Sequence, residues 1–182
     1  MEKAMSTADT LKAEATTHFQ QGRRTEALAA FELAAQAYQS DDQPLDWAEM
    51  LNNMGVIQRL QDQHEAALTA FEEAAGIFAE AGDANRQAMV LGNMGDLYAA
   101  AKNRLEAARH YSDAAQLFAQ TGDRERQSQV LRALSLLSAR QMRWLEALAY
   151  MEQSLDARPR LGLGQRLFRG LIRFMMALMG RG

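Results

Sequence analysis

Cysteine is absent from this 182-residue chain and proline occurs only twice, and both shortages restrict what the protein can be. Without cysteine, disulfides, zinc–thiolate sites and cysteine nucleophiles are excluded. Helix-forming residues dominate, and there is no Asn-Gly hairpin signal. The composition therefore predicts an all-helical protein.

Long apolar runs are missing as well. The chain opens with Met1, Glu2, Lys3 and Ala4, which is not the start of a secretory signal. No stretch approaches the ~20 apolar residues of a membrane-spanning helix. We therefore predict a cytoplasmic protein.

The sequence also lacks the patterns that carry chemistry. The three histidines, His18, His64 and His110, lie far apart in the sequence. No pair of them has the i, i+4 spacing of a metal-binding helix face. There is no phosphate-binding glycine loop and no nucleophile elbow. We expect neither an enzyme nor a cofactor.

Basic residues are scarce over most of the chain. Residues 1–157 carry 14 basic and 23 acidic side chains, a net charge of −9, whereas residues 158–182 carry six arginines and no acid. Because a nucleic-acid-binding surface needs cations that displace counterions, the acidic body predicts no nucleic-acid partner.

The feature that is present is a repeat with a fixed period of 40 residues. A period of this size indicates stacked supersecondary units, which form extended binding surfaces. The recurring residues are leucine (Leu11, Leu51, Leu91, Leu131, Leu171), a small residue (Ala15, Gly55, Gly95, Ser135), alanine (Ala27, Ala67, Ala107, Ala147) and a large residue (Phe31, Phe71, Tyr111, Met151).

Each unit contains two helical patterns joined by a short polar turn. Gly55 and Gly95 allow the two antiparallel helices to approach closely, and Gly82 and Gly122 suit left-handed helix stops. The predicted helices are 8–21, 24–39, 45–61, 64–80, 85–101, 104–120, 125–141 and 144–157.

This frame resembles the tetratricopeptide repeat (TPR) family. The family pattern of Leu-Gly-x-x-Tyr followed by Ala-x-x-x-Phe matches Met94, Gly95, Tyr98, Ala107 and Tyr111. The resemblance implies an α-solenoid of four helix hairpins with a C-terminal amphipathic capping helix. The predicted divisions are an N-terminal tail at 1–7, repeats at 8–44, 45–84, 85–124 and 125–157, and a linker with a basic helix at 158–182.

Two features depart from the usual family pattern. The period is 40 rather than 34 residues, and turns at Gly82–Asp83 and Gly122–Asp123 replace the closing proline. The variant is similar to the long repeats of kinesin light chains and spindle-orientation adaptors. The resemblance implies a right-handed superhelix whose first helices line a concave groove for a peptide or a partner helix.

Candidate groove residues lie opposite the packing stripe of each first helix. Asn53 and Asn93 occupy equivalent positions, and their amides can bond a peptide main chain, although solvated or turn-capping amides are the alternative. Lys12 and Asn53 match the carboxylate clamp of chaperone-binding relatives, but Thr16, Met89 and Asn93 do not complete it. The groove candidates are Lys12, Asn52, Asn53, Val56, Arg59, Met89, Asn93, Asp96, Arg132, Leu136 and Arg140.

A basic amphipathic helix is predicted after Pro159, and three interpretations of it remain open. It caps the last repeat, with Leu171 and Phe174 in packing positions. It offers an apolar patch to a partner helix or a second copy, or it associates reversibly with a membrane surface. The candidate contact residues are Phe168, Ile172, Met176, Met179, Arg166, Arg169 and Arg173.

The repeat frame without a catalytic constellation makes a non-catalytic adaptor or assembly factor the leading hypothesis. Its partner is a peptide or helix of another protein. The alternative is a self-assembling scaffold, or a peripheral membrane-associated TPR protein that uses the C-terminal helix.

Overall fold

The structure, a computed structural model, describes residues 6–158 and 160–179, without the side chain of Met179. Every regular element in these residues is an α-helix, which confirms the all-α prediction, and α1 to α8 agree with the predicted helices to within one residue at each end. The helices are α1 (Thr7–Gln20), α2 (Arg24–Ser40), α3 (Pro44–Leu60), α4 (His64–Glu80), α5 (Ala84–Ala100), α6 (Arg104–Thr121), α7 (Arg124–Arg140), α8 (Trp144–Ala157) and α9 (Leu163–Met179).

Helix ends recur every 20 residues because the same turn closes each of them. A residue with positive φ follows each helix from α1 to α7, and in each turn the next N–H donates back to a carbonyl of the helix, as Asp83 N does to Phe78 O at 2.8 Å. The left-handed stops predicted at Gly82 and Gly122 are confirmed. The full series is Gly22, Asp42, Asp62, Gly82, Lys102, Gly122 and Met142.

The chain divides into two compact units, Met1–Asn93 and Met94–Gly182, and the division falls within α5. One core cluster of the first unit contains alanines of α1 and α2 with Phe31, Tyr38 and Met50. A core cluster of the second unit contains Tyr111, Leu134 and other residues of α6 and α7. The four-repeat division of the sequence stays a prediction, and parts of its tail and linker (residues 1–5, 159 and 180–182) lie outside the described residues.

Two glycines allow a ring to lie directly on a first helix. A Cβ built on Gly55 would lie 2.6 Å from Cε1 of Phe71, and one on Gly95 would lie 2.5 Å from Cδ1 of Tyr111. Distances this short do not occur between real side chains, so only glycine permits these contacts. The small residue of the repeat frame is therefore explained by the ring of the second helix.

The α7–α8 hairpin replaces this ring contact with buried hydroxyl groups. Ser135 Oγ donates to the Ala147 carbonyl at 2.7 Å, and Ser154 Oγ donates to the Ser128 carbonyl at 2.8 Å. Arg158 Nε donates to Ser128 Oγ at 3.1 Å. Because these buried hydroxyls find partners, they lie in the helix contact without a desolvation penalty.

Helix α9 packs against α8, but through a different face from the one predicted. Ile172 is 1% exposed, whereas Leu171 and Phe174 are 52% and 64% exposed. The prediction that Leu171 and Phe174 pack in a cap is therefore wrong, and so is the prediction that Ile172 lies in an open contact patch. No helix among the described residues is both long and apolar enough to cross a membrane.

Candidate functional site

An open cavity of about 120 Å³ lies between the first helices of the first unit. Thr16 and Phe19 of α1, Phe31 of α2, and Asn53 and Val56 of α3 line it. Phe31 is buried and Phe19 is partly exposed, so the cavity has an apolar wall that solvent reaches. The structure thus brings the predicted residues Asn53 and Val56 together with Phe19 and Phe31, which the sequence analysis did not select.

The asparagines of α3 and α5 divide into two kinds. Asn93 Nδ2 donates to Asn52 Oδ1 at 2.8 Å, and Asn52 is buried. The side chain of Asn53 has no hydrogen-bond partner among the described residues, although its amide carries both a donor and an acceptor. Asn53 is therefore available to a ligand, whereas Asn52 and Asn93 bind each other.

Charged groove candidates of the first unit also differ in their surroundings. Lys12 Nζ lies 2.8 Å from a carboxylate oxygen of Glu49 and 4.0 Å from one of Asp46. Arg59 has no ion pair within the described chain, and its Nε–H is buried without an acceptor. Lys12 therefore already forms ion pairs within the chain, whereas Arg59 keeps a hydrogen-bond donor without an acceptor. Met89, the remaining candidate of this unit, is half-buried.

The groove candidates of the second unit are Asp96, which is hydrogen-bonded, and three exposed residues of α7. Tyr111 donates its hydroxyl proton to Asp96 at 2.5 Å. Arg132, Leu136 and Arg140 follow one another at four-residue intervals on α7, and all three are exposed. The two arginines have no acidic partner in the described part of this unit. We call Arg132, Leu136 and Arg140 the exposed stripe; it consists of an apolar side chain between two unpaired guanidinium groups.

The histidines show no arrangement suited to metal binding. His110 is buried and stacks on Tyr98, with ring centroids 5.2 Å apart and planes 8° from parallel. Among the residues that the structure describes, no group of three or more histidine and carboxylate side chains lies close enough to hold a metal ion. The Tyr98–His110 stack was not predicted, because it depends on how α5 packs against α6.

The arginines of α9 also divide into two kinds. Arg169 Nη1 lies 2.7 Å from Asp156, and Arg173 pairs with both Glu152 and Asp156 of α8. Hydrogen bonding to Glu152 raises the pKa of Arg173 above its ordinary value. Arg166 is exposed and has no acidic partner among the described residues. Of the three arginines predicted to contact a partner or a membrane, two therefore bind α8.

The apolar contact candidates of α9 have different exposures. Phe168 is 47% exposed, Met176 is half-buried and Ile172 is buried, while the Met179 side chain lies outside the described residues. Further apolar side chains of α9 are exposed beside these candidates. They are Phe174 and Met175, which the membrane interpretation also placed in the interface, and Leu163, Leu167, Leu171 and Leu178, which no contact interpretation named.

Comparison with known proteins identifies the repeats. Residues 46–120 match the tetratricopeptide repeat family model. No curated protein matches the sequence.

Two solved structures are similar to this chain. BtubC (BKLC) from P. vanneervenii has a TM-score of 0.75 at 19% identity, over 88% of this chain and 72% of that one. The apo form of RapI has a TM-score of 0.77 at 16% identity, over 85% of this chain and 58% of RapI. The chain thus spans less than two thirds of RapI, and identities this low establish the fold alone. Residues 46–120 thus match the tetratricopeptide repeat model, and they lie within an all-helical repeat fold that this chain shares with both structures.

Proposed function

We propose that the protein is a non-catalytic adaptor that binds a peptide or helix of a partner protein along the first helices of its hairpins. The observation that carries the proposal is the cavity between α1 and α3, where an apolar wall lies beside the unbonded amide of Asn53. The tetratricopeptide repeats support protein binding as the general activity.

The size of the cavity favours one side chain of a partner over a complete small molecule. Small-molecule pockets measure roughly 300–1,000 Å³, and this cavity measures about 120 Å³. An aliphatic side chain of the partner would contact Phe19 and Val56, and the Asn53 amide would bond the adjoining peptide group. Arg59, three residues beyond Val56, would receive an acceptor group of the same partner.

The exposed stripe of the second unit supports a separate contact of different chemistry. Arg132 and Arg140 flank Leu136 on α7 and have no acidic partner among the described residues of that unit. We assign to the stripe an acidic partner segment with an apolar residue between its acids, because guanidinium groups bind carboxylates in bidentate geometry.

Selection from a displayed peptide library tests the cavity assignment. Val56→Glu should abolish enrichment of the selected peptides, and Asn53→Ala should weaken binding roughly tenfold, the effect of one lost hydrogen bond. Leu33→Glu, a change at a 52% exposed leucine of α2 outside the cavity, is the matched control and should bind like the wild type. Equal binding by Val56→Glu and Leu33→Glu would refute the assignment.

A second candidate function is attachment through α9, to a second copy as a self-assembling scaffold or to a membrane surface. The observation that favours it is the exposed row of apolar side chains on α9. A protein that ends at Arg158 should lose self-association in light scattering, or pelleting with lipid vesicles, without losing peptide binding at the cavity. Attachment that persists in the truncated protein would exclude α9.

A further inference from the structure

The exposed face of α9 is wide, continuous and uncharged. Seven large apolar side chains, from Leu163 to Leu178, are between 41% and 76% exposed. At about 100° per residue they cover ~140° of the helix circumference. No other described helix separates apolar and polar residues so sharply. Contiguous exposed apolar surface of this kind marks a contact with a partner or a membrane.

The width of this face favours a bilayer over a single partner helix. Two helices that pair cover a narrow seam, and an apolar arc of more than ~100° requires more than one neighbour. A bilayer surface covers the whole arc at once when the helix lies in the membrane plane.

The charges around α9 favour an anionic surface. All three acids of α8 have arginine partners: Glu146 pairs with Arg143, Glu152 with Arg173, and Asp156 with Arg169 and Arg173. These pairs neutralise the carboxylates that would otherwise repel anionic lipids at this end of the chain. Residues 158–182 contain no acid.

Two further arginines remain open to such a surface. Arg160 and Arg166 are exposed, and neither has an acidic partner in the part of the chain that the structure describes. Arg166 lies about 60° beyond Leu163, at the edge of the apolar arc. From this position its guanidinium can reach a head group while its methylene groups lie along the apolar surface.

We propose that α9 binds anionic membranes in the bilayer plane and that its arginines have two separate roles. Arg160 and Arg166 contact the lipid phosphates, while Arg169 and Arg173 neutralise Glu152 and Asp156 of α8. The proposal rests on the second candidate function, deepens it by naming the lipid contacts, and is independent of the cavity in the first unit.

The test is co-sedimentation of the full chain with vesicles of equal parts phosphatidylcholine and phosphatidylglycerol. Arg160→Gln/Arg166→Gln should weaken binding roughly 10- to 30-fold, since each surface cation contributes about fivefold. The matched variant Arg169→Gln/Arg173→Gln/Glu152→Gln/Asp156→Asn also removes two arginines but keeps the net charge. It should bind at least as tightly as the wild type.

The apolar arc is tested with Leu171→Glu/Phe174→Glu, which should not pellet with vesicles. Both side chains are exposed, so helix content and melting temperature should stay at wild-type values. Equal losses in the two arginine variants would overturn the division of roles while leaving membrane binding intact. A different result would overturn the membrane proposal: a wild-type protein that does not pellet with vesicles but forms a dimer that Leu171→Glu/Phe174→Glu disrupts. The face of α9 would then bind a second copy of the chain.

Discussion

Helices α7 and α9 carry the same repeat frame 40 residues apart, yet they bury opposite faces. Leu131, Leu134 and Ser135 are between 2% and 5% exposed, while their equivalents Leu171, Phe174 and Met175 are between 41% and 64% exposed. The exposed position Arg132 corresponds to Ile172, which is buried.

The cause of this reversal is the face through which each helix meets the second helix before it. Leu131 and Leu134 of α7 lie in one core cluster with Ala107, Tyr111 and Ala115 of α6. Helix α9 packs against α8 with Ile172 buried, and it leaves Leu171 and Phe174 exposed. The comparison teaches that a frame position predicts the residue type, whereas burial depends on which face docks on the preceding helix.

The largest predicted effect comes from shortening the side chains at one pair of equivalent positions, 134 in α7 and 174 in α9. Leu134→Ala should lower the free energy of unfolding by about 2–5 kcal/mol, because it leaves a cavity in the core cluster of α6 and α7. Phe174→Ala should change it by no more than about 0.5 kcal/mol, because that ring lies in solvent. Denaturant titration measures both. A large loss from Phe174→Ala would mean that the α9 face is covered.

The second prediction separates a covered glycine from an open one within the first unit. Gly55→Ala should destabilise the protein by about 1–3 kcal/mol, because the new Cβ collides with Phe71. Gly76→Ala in α4 meets no atom within 4 Å and should stabilise it by about 0.5–1 kcal/mol through helix propensity. Thermal and denaturant unfolding should show opposite signs for the two. The same sign would contradict the close ring contact.

The third prediction concerns the turns that let each helix fold back on its neighbour. Met142, which follows α7, has a φ of 60°, and its side chain makes this left-handed conformation strained. Met142→Gly should therefore raise the free energy of unfolding by about 1 kcal/mol. Gly122, in the turn before this one, has a φ of 75°. Gly122→Ala should therefore lower the free energy of unfolding by a similar amount. Destabilisation by Met142→Gly would show that the turn is not strained.

The smallest effect is expected at a polar contact of the first hairpin. Tyr38 donates its hydroxyl proton to Asp9 at 2.7 Å, and this hydrogen bond lowers the pKa of Asp9 below its ordinary value. Stability from a lowered aspartate pKa is present above the unfolded-state pKa and disappears as the pH falls through the folded-state value. Tyr38→Phe should therefore be less stable than the wild type near neutral pH, and the difference should shrink in acid. An equal difference at both pH values would exclude ionised Asp9 as the acceptor.

The helices were predictable from the sequence because local signals repeat. Gly82 and Gly122 mark helix ends, and the 40-residue frame transfers such an end to the first unit, where Asp42 occupies the left-handed position. The close approach of α3 to α4 was also visible, since Gly55 stands in a helix that would otherwise favour alanine.

The binding surfaces were less predictable because they depend on contacts that are distant in sequence. Nothing in the frame distinguishes Asn52, which bonds Asn93, from Asn53, which stays open to solvent. The pairing of Glu152 and Asp156 of α8 with arginines 13 to 21 residues away also has no local signature in the sequence.

Thiol labelling tests the central comparison most directly, because the natural chain has no cysteine. Leu134→Cys and Phe174→Cys each place a single thiol at equivalent positions of α7 and α9. We predict that the thiol at 174 reacts at the rate of an exposed cysteine in lipid-free buffer, and that the thiol at 134 reacts at least about 100-fold more slowly, limited by local opening. Equal protection of the two thiols would contradict the account, because it would place a cover over the face of α9 that the structure leaves open.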